Sequence, residues 1–183
     1  MAAELQPDML KRAKAYDREA LAALYDAYHA PLYAYIYRQV GDVETARDLT
    51  ADVFQRLLQA LRDGGGPDRQ VRPWLYRTAH NRVIDFYRRQ THRDHLPLFE
   101  GVVDGGLSPA ATAEQRQETA QVRQLLCRLT PEQQQVIALK FLSGLSNAET
   151  AAVVGKPIGA VKALQHRALA ALRRLLATER EVV

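Results

Sequence analysis

Residues 147–176 read NAETAAVVGKPIGAVKALQHRALAALRRLL. A run of eight residues with helical character, Asn147–Val154, meets a Gly155-Lys156-Pro157 break, and a longer run free of acids follows. Gly stops a helix because it enters the left-handed region cheaply, and Pro is at home where the next helix begins. Two helices joined by so short a turn predict a helix-turn-helix, whose second helix enters a DNA major groove. On a wheel of about 100° per residue, Val161, Leu164, Gln165, Ala168 and Leu172 fall on one side. Lys162, Ala163, His166, Arg167 and Ala170 fall on the other. The outward set offers cations and an imidazole for phosphates and base edges, and a small Ala163 permits close approach. A basic solvated face beside packed helices would look similar. The short helix, the Gly-x-Pro turn and the acid-free second helix together favour DNA.

Working outward, nearly every periodic segment has a helical period, and sustained alternation of β-branched residues is missing, so the chain is predicted to be all-α. Charge is divided along it. The net charge is only +4 over 183 residues. Yet 69–95 holds seven arginines against two acids, and 156–174 holds five basic residues against none. From 17 to 63 the balance reverses, with eight acids against five arginines. Basic islands of this kind suit nucleic acid, and an acidic stretch suits a basic partner. The single Cys127 excludes an intramolecular disulfide and any CxxC site, and its apolar setting in VRQLLCRL predicts a small buried residue. No Gly-rich phosphate loop, nucleophile motif or metal-ligand spacing stands out, so neither an enzyme, a cofactor nor a metal is expected. His92 and His95 are too weak a pair to suggest a metal. With no apolar h-region and no long apolar run, the chain reads as cytoplasmic, with no membrane segment.

The helices are predicted from their punctuation. One is expected over 16–29, and a second restarts at Pro31 and runs to Val40. Asp42 caps a long helix, VETARDLTADVFQRLLQAL, and GGGPDR at 64–69 is a loop. A helix over 71–89 follows, containing WLYRTAHNRVIDFYRRQ. Its apolar stripe is threaded by Arg77, Arg82, Arg88 and Arg89. Trp74 is assigned to packing; Tyr76 and Tyr87 could belong to the core or to a stacking surface. Residues 95–113 hold two prolines and three glycines with little periodicity and read as a flexible linker. Helical pattern resumes at 114–128. Thr130-Pro131 opens a helix that Gly144 ends, and Ser146 caps the next. The chain therefore divides into a helical domain over 1–92, a linker over 93–117 and a helix-turn-helix domain over 118–183.

Two blocks carry a family resemblance. LTPEQQQVIALKFLSGLSNAETAAVVGKPIGAVKALQHRAL resembles region 4 of bacterial sigma factors. RDLTADVFQRLLQAL followed by RPWLYRTAHNRVIDFYRR resembles region 2. Their order, with nothing like regions 1 or 3, is the layout of the extracytoplasmic-function (ECF) group of the sigma-70 family. The resemblance covers roughly 15–92 and 118–177. It implies a chain that binds core RNA polymerase and directs promoter-specific transcription initiation. Glu44, Asp48, Thr50, Asp52, Phe54 and Gln55 would dock on the β′ clamp, and region 4 would meet the β flap. Arg77, His80, Asn81, Arg82, Arg88 and Arg89 would hold the opened −10 element, with Asn81 reading a base. Lys156, Lys162, Ala163, His166 and Arg167 would meet the −35 duplex. Ala163 and Leu164 stand where many members carry Ser or Thr and then Arg, and Leu169 replaces a second Arg, so the −35 contact is expected to be weaker or differently specified. The resemblance also allows an anti-sigma factor as a partner. The alternative is a helix-turn-helix regulator joined to an unrelated helical sensor or dimerisation domain.

Overall fold

The computed structural model describes residues 7–91, 120–122 and 124–181. The linker expected over 93–117 lies outside the described residues. Every regular element among the described residues is helical.

The first half is a bundle of four helices: α1 (Pro7–Lys14), α2 (Arg18–Val40), α3 (Val43–Arg62) and α4 (Val71–Thr91). Their ends follow local chemistry. The Asp17 carboxylate accepts from the amides of Glu19 and Ala20 at the start of α2. Gly41, at φ 71°, closes that helix with its amide on the Tyr37 carbonyl, and Asp42 then caps α3 by accepting from the Thr45 amide at 2.7 Å. These devices supply partners to amides and carbonyls that a helix end leaves over.

The expected break at Pro31 does not occur, and α2 runs through it. A proline inside a helix removes one backbone bond and crowds the preceding turn. Here Tyr28, Leu32, Tyr35 and Ile36 are buried on both sides of it, so packing along the whole helix outweighs the local defect. Tyr35 and Tyr76 meet edge to face in the bundle centre, with ring centroids 5.1 Å apart. Around them pack Leu24, Leu32, Val53, Leu75, Ala79 and Val83, all buried.

The second half contains α5 (Pro131–Ile137), a π-helical turn (Ala138–Leu142), α6 (Asn147–Val154) and α7 (Ile158–Glu181). Thr130 with Gln133, and Ser146 with Glu149, form two capping boxes. The single helix expected up to Gly144 is therefore α-helical only as far as Ile137. The wider turn buries Leu139 completely while leaving Phe141 and Leu142 exposed. Cys127 is exposed rather than buried. In its run Leu125, Leu126 and Leu129 take the inward positions, and Cys127 falls on the outer side of that turn. On α7, Val161, Leu164 and Ala168 are buried as the wheel expects, while Gln165 and Leu172 are half-buried.

The two halves are packed together. Leu139, Leu145 and Val153 belong to the same apolar cluster as the α2–α4 core. Leu139→Ala should lower unfolding stability by about 2–5 kcal/mol, the range for emptying a fully buried leucine site. Urea unfolding of the full chain measures it, and a loss below about 1 kcal/mol would show that this residue does not seal a shared core.

Candidate nucleic-acid and partner interfaces

On α3 the expected acidic stripe divides. Glu44, Asp48 and Gln55 are exposed, and Glu44 pairs with Arg47 at 3.0 Å. Thr50 is buried and donates its hydroxyl to the Ala46 carbonyl at 2.6 Å. Phe54 is buried too, against Tyr25 at a centroid distance of 4.9 Å. Neither can be a surface contact in this arrangement, because their places on α3 face the bundle. Asp52 is half-buried; it accepts from Arg56 at 2.9 Å and from Arg82 of α4. The surface instead shows Tyr25, which stacks on His29 at 4.7 Å, and Leu58. Neither was singled out from the sequence, where an aromatic in a helix reads as core.

On α4 the positive side chains have different fates. Arg77, Asn81, Arg88 and Arg89 are exposed. Arg82 is not: its side chain is 15% accessible, and it bridges Asp52 and Asp85, the latter at 3.1 Å. It pins α4 to α3, so its expected role at a phosphate is corrected to an internal one. His80 is likewise turned inward. The amide nitrogen of Gln135 on α5 lies 2.8 Å from its Nε2, which suits a neutral imidazole accepting that bond. Burial pushes the His80 imidazole down to about 4, since nothing there repays desolvation of a cation. The tyrosine question also resolves. Tyr76 is buried, and Tyr87 is half-buried with its hydroxyl on the Gln39 carbonyl at 2.6 Å. Both belong to the inner side.

Beside the exposed arginines lies a cavity of about 630 Å³, lined by the 66–70 loop, Pro73, Trp74, Arg77 and Ala152. Trp74 packs against the core with one side and lines this hollow with the other. The loop residues Arg69 and Gln70 were not expected at a site; a Gly-rich turn gives no signal beyond its bend.

On α7, Lys162, Ala163, His166 and Arg167 are all exposed on one face. Ile158 extends this face to the helix start, 45% accessible, and Gly159 has open space beyond its Cα. Lys156 precedes the helix and pairs with Glu132 at 2.8 Å, so it is engaged with α5. The face is cationic, with an apolar residue at the end that a recognition helix presents first to base edges.

Residues 24–93 match the family Sigma-70 region 2, and residues 119–183 match Sigma-70, region 4. The chain is 32% identical over 169 residues to the ECF RNA polymerase sigma factor SigX of Bacillus subtilis, covering 89% of this chain and 87% of SigX. This chain is a member of the sigma-70 family, in its ECF group. It is also 37% identical over 172 residues to the ECF sigma factor BldN of Streptomyces coelicolor. That alignment covers 92% of this chain and 65% of BldN, so the chain spans about two thirds of that relative. A solved structure of CnrH with the cytosolic domain of CnrY is similar at a TM-score of 0.69 and 28% identity, covering 94% of this chain and 97% of CnrH. CnrH is a sigma factor of Cupriavidus metallidurans. The region 2 match occupies the part of the chain where an unrelated sensor would have to lie. Among the described residues no helix is long and apolar enough to cross a membrane.

Two outcomes are expected. Arg82→Ala should cost about 1–3 kcal/mol of unfolding stability without any DNA, the scale of lost bonds to a charged partner. Arg88→Ala should cost almost nothing in the same urea titration; equal effects would return Arg82 to the surface set. For His80, the folded imidazole sits below its usual 6.5, so the unfolded chain binds the extra proton between pH 6.5 and about 4. Its contribution is complete above pH 6.5 and falls by about 3 kcal/mol towards pH 4. His80→Gln should flatten that part of the stability profile relative to wild type, and an unchanged slope would contradict the buried neutral imidazole.

Proposed function

We propose that this chain binds core RNA polymerase and directs it to promoters, with region 2 reading and opening the −10 element and region 4 reading the −35 element. The observation that carries this is the α7 face: Lys162, His166 and Arg167 point outward from the second helix of a helix-turn-helix whose Val161, Leu164 and Ala168 are buried. That arrangement fits a major groove, and no acid interrupts it.

Strand opening needs a positive surface for unpaired DNA and a place for an extruded base. Arg77, Arg88 and Arg89 supply the first, and the hollow beside Trp74, Arg69 and Arg77 has room for the second. Asn81, exposed next to it in the helix, is the base-reading side chain. The polymerase-facing surface on this reading is Glu44, Asp48 and Gln55 with Tyr25 and Leu58, which combines charge complementarity with an apolar anchor. The exposed Phe141 and Leu142 on the π turn suit an apolar partner of region 4, and the β flap is the one the resemblance implies. Such a chain acts in the cytoplasm as a non-enzymatic initiation factor. An anti-sigma factor would hold it in reserve, as the resemblance implies.

The test is transcription in vitro by core polymerase with this chain over a promoter library. Start-site-specific product is expected with the chain and not with core alone; its absence defeats the reading. Within that assay Arg167→Ala should weaken promoter binding by about 1–3 kcal/mol at fixed salt. Asn81→Ala should spare −35 binding and reduce strand opening, read by permanganate reactivity of unpaired thymines.

A further inference from the structure

The positive face of α7 does not end with the residues proposed to read the −35 element. The helix runs 24 residues, Ile158–Glu181, or about 36 Å. Lys162, His166 and Arg167 occupy its first three turns. Arg173 and Arg174 lie beyond them, and both are exposed.

Their placement is regular. At about 100° per residue, Arg173 falls about 20° from Lys162 and about 16 Å further along the axis. Arg174 falls about 20° from Arg167 and about 10 Å further along. The four cations therefore form two rows down the helix, about 120° apart around it. On a cylinder about 10–12 Å across, such rows stand about 10 Å apart. The major groove of B-DNA is about 12 Å wide. Between the rows fall Gly159, Ala163, His166 and Ala170. A centre line of mostly small residues lets the helix seat closely, which brings each row to the phosphates along one edge of the groove.

Two further observations bear on the rows. Among the described residues, Lys162, Arg167, Arg173 and Arg174 have no carboxylate within ion-pair distance, whereas Arg56, Arg72, Arg82 and Lys156 each have one. The far part of the helix is also held in place, because Leu169 and Leu172 pack on the cluster that contains Leu126, Leu129 and Ala168. The arginines are thus carried on a fixed axis, in line with the cations that precede them. An acidic protein would satisfy the same arginines, but it would not require them to continue the rows that begin at Lys162 and Arg167.

We propose that Arg173 and Arg174 are phosphate-binding residues, one to each strand, that extend the duplex contact of region 4 past the base edges of the −35 element. This rests on the reading of region 4 as the −35-binding domain. A contact to phosphate carries no base information; it adds affinity whatever the sequence, and it makes that affinity depend on salt. Ala163 has no side-chain hydrogen bond to offer a base, and Leu164 is buried. The two arginines supply affinity that those positions do not.

The experiment titrates the full chain with core polymerase onto a promoter duplex at a series of KCl concentrations. Wild type is compared with Arg173→Gln/Arg174→Gln and with Arg173→Lys/Arg174→Lys. Gln and Lys are helix formers of the same rank as Arg, so α7 keeps its length, which circular dichroism checks. The Gln variant should reduce the slope of log affinity against log salt by about 2. Between about 50 and 200 mM KCl, wild type should then lose about 10-fold more affinity than the Gln variant. The Lys variant should keep the wild-type slope, since lysine still binds phosphate as a point charge. The loss in the Gln variant should be equal on promoters that differ in their −35 sequence. A methylphosphonate that removes one phosphate charge beside the −35 element should weaken wild type several-fold and leave the Gln variant unchanged.

An unchanged slope in the Gln variant overturns the proposal, and is the result if the arginines serve an acidic protein. A loss confined to one −35 sequence also overturns it, in favour of base reading. A wild type that forms no core-dependent promoter complex would instead defeat the sigma-factor reading. The full chain alone on the same duplex at low salt then decides the arginines, and equal slopes for wild type and the Gln variant overturn them.

Discussion

Helix α4 has to satisfy neighbours on more than one side, and much of the structure follows from that constraint. Its inward stripe, Leu75, Tyr76, Ala79 and Val83, is buried against α2 and α3. A second stripe, Arg72 and His80, is taken up by α5, α6 and the turn at Ser143. The remaining side carries Arg77, Asn81 and Arg88 into solvent. A helix with this many neighbours cannot move without disturbing the bundle core, so the exposed stripe is held on a rigid mount.

Charge is partitioned by the same packing. Asp52 lies within the acidic stretch of α3 but is held by Arg56 and Arg82, so it contributes little net negative field to the surface. The Asp52–Arg82 pair takes one charge of each sign out of the outward sets. Of the residues expected at the partner face of α3, Glu44, Asp48 and Gln55 stay outward, beside the exposed Arg47 and Arg56. Of the residues expected at DNA, Arg77, Asn81, Arg88 and Arg89 stay outward on α4, and Lys162, Ala163, His166 and Arg167 on α7.

Helix positions were legible where capping chemistry is local. Asp42, Thr130 with Pro131, Ser146 and Gly155 announced boundaries that the structure bears out, because each side chain or left-handed residue acts within one turn. Pro31 misled, since its cost is local while the packing of Tyr28, Leu32, Tyr35 and Ile36 that overrides it is not. The π turn at Ala138–Leu142 left no sequence signal, as it serves the burial of Leu139 in a cluster contributed mostly by the other half of the chain. The α7 face was read correctly in its burial because helical period alone sorts Val161, Leu164 and Ala168 from Lys162, His166 and Arg167.

By itself, then, the sequence determined the helical class, the sigma-70 regions in their order, and the outward face of the helix-turn-helix. These depend on periodicity, caps and motifs, which are properties of neighbours along the chain. Only the tertiary structure decided that Thr50, Phe54, His80 and Arg82 face inward and that region 4 sits against α4. A period of 3.6 residues says which side chains share a face. It cannot say how many faces of a helix will be covered, because that depends on partners distant in sequence.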